Sequence, residues 1–262
     1  MNTAHTSAGG NEPQHQGPPG RHTSLPPLTP ETCKLAVKGA CLVSDLCQIK
    51  NGGSHPPFSA YAFSRRTLRR GEALYRAGDA LLNLYQLYAG SVKLRITNLS
   101  GIEQIVSFPT TGALLGIDGI ETGTYTCDAI ALEDSVVCMI PFSELASSSC
   151  NDAKMALRLN RAIAHEASHY RHLLMTLACL NSEERVASFL MDISEKMAAN
   201  GYSPRQFVLK MTREDIAHHL GMKLETVSRI FTRLQTAHVL DVRRRHLNIR
   251  DPDALRKIGA GQ

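Results

Sequence analysis

Glu225, Ser228 and Arg229 are spaced so that the last two lie three and four residues beyond the first, which puts all three on one face of a helix. Such side chains can read base edges. A guanidinium forks onto guanine, a carboxylate accepts from the cytosine amine, and a hydroxyl bonds to either. A second chemistry is offered by thiols. The chain carries seven cysteines: Cys33, Cys41, Cys47, Cys127, Cys138, Cys150 and Cys179. The first three fall within fifteen residues, with Gly39, Gly52 and Gly53 close by. Clustered cysteines in a reducing compartment point to metal or redox work before disulfides. Iron–sulfur clusters need thiolates, usually four, that converge from adaptable backbone. The competing reading is that some of these thiols are small core residues.

The elements that must position the first group are two short helices. Ile216 and Leu220 are apolar at i and i+4, Gly221 can take a positive φ, and Leu224, Val227, Ile230 or Phe231, and Leu234 resume a helical stripe. Thr212 and Asp215 form a helix-start capping pair. This is a helix-turn-helix pattern, against the plainer alternative of a helical hairpin. The segment after the second helix favours nucleic acid: two apolar runs between Val239 and Ile249 flank Arg243, Arg244 and Arg245, as in a two-stranded wing. Between residues 225 and 250 six arginines face only Glu225 and Asp241. Neutralising phosphates needs such a local excess.

The 262 residues suffice for two domains, and the net charge of +5 with pI near 8.9 permits a polyanionic partner without demanding one. No run of about 18 apolar residues suggests a membrane span. The amino terminus lacks a signal-peptide pattern, so a cytoplasmic protein is expected. Residues 1–31 read as a disordered tail rich in Pro, Gly, Ser and Gln. Residues 32–57 form a cysteine-bearing sensor segment. From 58 to 150, short apolar stretches punctuated by glycine, such as Val92, Leu94 and Ile96 alternating with Lys93 and Arg95, suggest a jelly-roll barrel. Residues 151–179 read as one long helix. Its stripe (Asn160, Ile163, Tyr170 and Leu174 among others) forms a homodimer seam while a second set, including Leu157 and Leu173, packs at home. His165, His169 and His172 on this helix are explained by solvent exposure. Residues 180–262 complete a winged helix-turn-helix unit. The fold expected is α+β: an amino-terminal barrel, a dimerisation helix and a DNA-reading unit.

That order resembles the CRP/FNR superfamily of bacterial transcription regulators. The likeness is carried by Arg70-Gly-Glu-Ala-Leu-Tyr-Arg-Ala-Gly-Asp79, Tyr88-Ala-Gly-Ser-Val-Lys93, Val137-Cys-Met-Ile-Pro-Phe142, Asn181-Ser-Glu-Glu-Arg-Val-Ala187 and above all Glu225-Thr-Val-Ser-Arg229. The last is similar to the E-x-x-S-R motif of the FNR branch, whose members read a TTGAT-N4-ATCAA type of palindrome. The resemblance implies that Glu225, Ser228 and Arg229 read bases in double-stranded DNA, and that the bound dimer contacts RNA polymerase. One departure is Lys223, where the family often has a capping Thr or Ser.

The resemblance also bears on the signal. The cyclic-nucleotide branch holds its ligand with a Gly-Glu-Leu turn and an Arg-Ser pair, whereas this chain has Gly116-Ile-Asp118 and Cys127-Asp128, which argues against cyclic AMP. The FNR branch holds a [4Fe–4S] cluster with three amino-terminal cysteines and one in the barrel. Cys41 and Cys47 match two of these and Cys138 the distant one; the position three before Cys41 is Lys38, so Cys33 is the upstream substitute and Cys127 a second. The implied ligand set is Cys33, Cys41, Cys47 and Cys138. The expectation is a regulator, not an enzyme, whose DNA binding weakens in oxygen. A regulator that senses haem, a small ligand or thiol oxidation is the alternative. An iron–sulfur redox enzyme is disfavoured because His55, Asp118 and Asp128 form no acid–base motif.

Overall fold

The computed structural model describes residues 64–151 and 153–261, with backbone alone at 148–151. The tail 1–31 and Cys33, Cys41 and Cys47 lie outside the described residues. Eight strands build the barrel: β1 (Arg65–Leu68), β2 (Ala73–Tyr75), β3 (Asn83–Ala89), β4 (Val92–Thr97), β5 (Glu103–Ser107), β6 (Leu114–Leu115), β7 (Asp128–Ala131) and β8 (Ser135–Pro141). They pair antiparallel in two facing sheets, ordered β1-β8-β3-β6 and β2-β7-β4-β5. Alternation in β4 drives Val92 and Leu94 inward, while Ile96 stays exposed near the hairpin tip. Leu68, Leu84, Leu87, Leu115 and Val137 fill the core, each burial being worth ~1.5–3 kcal/mol. Tyr75 stacks on Tyr125 with ring centroids 3.9 Å apart, and Tyr85 lies beside them. Gly90 connects β3 and β4 at φ 101°, and a Cβ there would collide with the Ser135 side chain, so no other residue fits.

A helix that the sequence pattern does not announce, α1 (Phe142–Asn151), leads from β8 into α2 (Ala153–Cys179). Met155, Leu173 and Thr176 of α2 are buried, and Leu159 and Tyr170 pack on the barrel core. Leu157, Ile163, Leu174 and Met175 remain exposed. The two sequence stripes are therefore partly exchanged: Tyr170 belongs to the home face and Leu157 to the open one.

Next, α3 (Ser182–Ala199) starts in a capping box between Asn181 and Glu184. The reading unit comprises β9 (Gln206–Val208), α4 (Arg213–Leu220), α5 (Leu224–Thr236), β10 (Leu240–Arg243), β11 (His246–Ile249) and α6 (Pro252–Gly259). Its sheet has order β10-β11-β9, so the expected two-stranded wing has a third strand. The core of this unit, including Ile216, Val227, Phe231 and Leu234, is closed by Ile105, Phe108 and Leu132 from the barrel. The reading unit is thus not closed by its own residues.

Two histidines sit in that junction. His219 on α4 places Nδ1 2.9 Å from the Ile105 carbonyl, and its ring lies against Phe108 and Phe189. His169 on α2 bonds to the Val106 backbone, and its Nε2 is buried with no partner. The solvated role expected for His169 is corrected: its contact is 63 residues away in sequence and no periodicity reveals it. Burial pushes both imidazoles down to about 4, with the carbonyl contacts opposing and Lys196 adding to the shift. Because the folded values lie below the ordinary ~6.5, their contribution is complete above pH ~6.5 and is lost as pH falls toward 4. Each histidine should cost roughly 1–2 kcal/mol by pH 5. Calorimetry between pH 7 and 5 should show a falling melting midpoint, and His219→Gln should flatten that slope.

Candidate nucleic-acid interface and sensor residues

The turn between α4 and α5 follows from local chemistry. Thr212 Oγ1 accepts from Asp215 N at 3.0 Å, and the Asp215 carboxylate in turn accepts from Thr212 N at 2.8 Å. Gly221 ends α4 in the left-handed region, φ 60°, which a β-carbon would disfavour. In α5, Val227, Ile230, Phe231 and Leu234 are buried against α4 and α3. Leu224 faces solvent at 42% exposure, so it does not extend the core stripe as expected.

This packing turns Glu225, Ser228 and Arg229 outward together. Among the described residues Arg229 and Arg244 enter no ion pair. Arg244 stands at the wing tip with φ 58°. Other arginines are partly engaged: Arg233 Nη1 lies 2.7 Å from Glu183, Arg250 is 3.4 Å from Asp241, and Arg245 donates to the Lys210 carbonyl. The local positive excess is therefore smaller than the sequence count, because Glu183 is a partner from outside the counted segment. Arg213, which no sequence motif marks, lays its guanidinium over the Phe231 ring with Nη1 buried and unpaired.

The sensor candidates separate clearly. Asp118, in the short 3-10 turn Ile117–Gly119, accepts from Thr126 N at 2.7 Å, Thr126 Oγ1 at 3.0 Å and Cys127 N at 3.2 Å. Asp128 is held by Arg95 at 2.7 Å and by Ala77 N. These donors and the Arg95 guanidinium are thus already engaged by carboxylates. Cys127 is buried, and burial followed by the nearby Asp118 charge pushes its thiol well above the usual range. Burial and the Asp118 charge disfavour a free thiolate at Cys127.

Cys138 differs. It lies buried on β8, directly opposite Arg65 of β1 and Gln86 of β3, and paired residues share a sheet face. The Arg65 guanidinium lies 4.9 Å from the Tyr88 ring of β3. Arg65 Nε is buried without a partner. A cation beside this thiol suits an anionic group. Among the described residues no three His, Cys, Asp or Glu side chains are arranged to hold a metal. Cys33, Cys41 and Cys47 fall outside those residues.

A barrel, a long helix with an open apolar face and an outward E-x-x-S-R helix above a basic wing define a DNA-binding regulator. Known proteins agree. The cyclic nucleotide-binding domain family matches residues 65–147, and the Crp-like helix-turn-helix domain family matches residues 184–258. The chain is 36% identical over 198 residues to the fumarate nitrate reduction regulatory protein of Klebsiella oxytoca, covering 76% of this chain and 79% of that one. It is 36% identical over 194 residues to the fumarate and nitrate reduction regulatory protein of Escherichia coli K12, covering 74% and 78%. The structure of FixK2 from Bradyrhizobium japonicum superposes with TM-score 0.68 at 28% identity, covering 74% of this chain and 96% of that one. The chain belongs to the CRP/FNR superfamily of bacterial transcription regulators; it is a DNA-binding regulator and not an enzyme. No helix among the described residues is long and apolar enough to cross a membrane.

Lys223 occupies the cap of α5 without a side-chain bond to the free N–H groups, as its chemistry implies. Lys223→Ser should supply that acceptor and stabilise the reading unit by ~0.5–1 kcal/mol, seen as a raised urea midpoint with unchanged slope.

Proposed function

We propose that the protein is an oxygen- or redox-responsive regulator that binds a TTGAT-N4-ATCAA type of palindrome as a homodimer. The observation carrying the operator reading is the shared outward face of Glu225, Ser228 and Arg229. The exposed Leu157, Ile163, Leu174 and Met175 on α2 support a helix-to-helix seam between two copies. Such a pair would present two reading helices to half-sites about one turn, ~34 Å, apart. Promoter-bound dimers would then contact RNA polymerase, as the family resemblance implies.

For the signal, we assign Cys33, Cys41, Cys47 and Cys138 as holders of a [4Fe–4S] cluster, with Arg65 as a neighbouring cation. When bound, that group would supply an oxygen-labile cross-link between the amino-terminal segment and the barrel. The chain's own contribution is mechanical. Cys138 on β8 lies just ahead of α1 and α2, so a tether there would bias the helix carrying the seam. A shift of only a few kcal/mol between two states suffices to switch occupancy. The relatives' names concern fumarate and nitrate reduction, which suits this reading.

Protein purified without oxygen should show a broad visible absorbance, about four irons per chain and tight operator binding, all lost in air. Cys138→Ser should be colourless, while Cys127→Ser should keep its iron. Colourless, iron-free wild type would exclude the cluster. Independently, Arg229→Ala should weaken operator binding by ~1–3 kcal/mol, measured by fluorescence anisotropy, with a smaller loss on unrelated duplex. Unchanged operator affinity would overturn the assignment of the reading face.

A further inference from the structure

Helix α4 is held at both ends by the barrel. At its start, Lys93 of β4 places Nζ 2.6 Å from Asp215 Oδ1, with side-chain exposures of 20% and 9%. The other Asp215 oxygen accepts from Thr212 N and Thr212 Oγ1, each at 2.8 Å. Burial alone would raise the Asp215 carboxyl, but the bonds from Lys93 and Thr212 outweigh it and hold the group below its usual range. The same carboxylate therefore caps α4 and pairs with a barrel lysine.

At the far end, Gln104 Nε2 donates to the His219 carbonyl at 3.0 Å, and His219 meets the Ile105 carbonyl. Strand β5 is the edge of its sheet, so its outer backbone groups have no strand neighbour; His219 of α4 meets Ile105 and His169 of α2 meets Val106 instead. Ile105 is fully buried within the reading unit's core. Further along, Lys210 pairs with Glu133 at 2.7 Å, and Glu133 also accepts from Ser91.

We propose that the β4–β5 edge is a seat that sets the angle of the reading helix, with Lys93 as its principal positioning residue. Helices α4 and α5 share Ile216, Leu220, Val227 and Phe231 in one close-packed core, and such cores shift as units rather than deform. A tilt of α4 on the seat therefore moves Arg229. The barrel's state reaches DNA within one protomer by this route, in addition to any change at the long helix. Lys93 does not touch DNA in this scheme; it acts through Asp215.

The test uses the full chain and two labelled duplexes of equal length, the TTGAT-N4-ATCAA palindrome and a scrambled version. The choice of palindrome rests on the operator reading above. Lys93→Met should bind the palindrome at least fivefold more weakly, with scrambled-duplex affinity within twofold of wild type. Lys93→Arg should recover palindrome binding to within threefold. Wild-type palindrome affinity in a folded Lys93→Met would overturn the seat, and so would equal losses on both duplexes. If wild type itself does not distinguish the duplexes, the operator reading fails separately. Hydrogen exchange of the Ile216–Leu220 amides then decides: at least tenfold faster exchange in Lys93→Met, with wing amides unchanged, supports the seat, and unchanged exchange rejects it. Should Lys93→Met not fold, Gln104→Ala removes the tie at the other end and is read by the same criteria.

Discussion

Arg185 donates to three carbonyls, from the ends of α2 and α4 and from the link between α2 and α3. Its Nη2 reaches Leu177 at 2.8 Å, Nε reaches Leu180 at 2.9 Å, and Nη1 reaches Leu220 at 3.1 Å. Leu177 lies in the last turn of α2 and Leu220 ends α4, where carbonyls lack partners within the helix and carry the negative end of the dipole. A planar, permanently charged fork suits this task as an ammonium would not. The exit from the long helix and the end of the first reading helix are thus fixed to one guanidinium. That joint and the barrel residues completing the second core both bear on the end of α4 that leads into α5.

The joint makes the division into sensor and reader a matter of degree. Ile105, Phe108 and Leu132 belong to the barrel by sequence but to the reading unit by packing. Uncharged His169 and His219 line the same junction, with Lys196 close enough to lower both. Buried groups of this kind make an interface specific, since separating the partners strands polar atoms. They also make it responsive, because the arrangement is costly to deform by halves and so favours discrete docked states.

How much the sequence discloses depends on the range of the interactions. The capping box at Thr212 and Asp215, the turn at Gly221 and the stripe through Leu234 are local, and each is visible within four residues. The E-x-x-S-R face is legible for the same reason, as is the inward alternation of β4. Leu224 departs from its expected place because a first-turn residue can satisfy helical spacing while still facing water. Strand β9 is three residues long and exists through pairing with β11, on the far side of both reading helices. Lys93 and Asp215 stand 122 residues apart, and no pattern in either neighbourhood announces the other. The exposed arginines of the wing are countable from sequence, but the engagement of Arg233 by Glu183 is not.

The barrel also explains why this fold need not serve the ligand its family is named for. Asp118 is gripped by four donors, including the backbone N–H of Thr126 and Cys127 and the Cys127 thiol. A phosphate arriving there would have to expel a carboxylate that already uses those donors, and would then face Asp128 beside it. Arg95 offers no rescue, since its guanidinium is shared between Asp128 and Glu103. The stacked Tyr75 and Tyr125 occupy the adjoining core. The turn at Ile117–Gly119 is here tied to Thr126 and Cys127 by the chain's own acid, Asp118. Cys138 and the Arg65 paired with it lie on the opposite sheet, where β8 runs directly into α1 and α2.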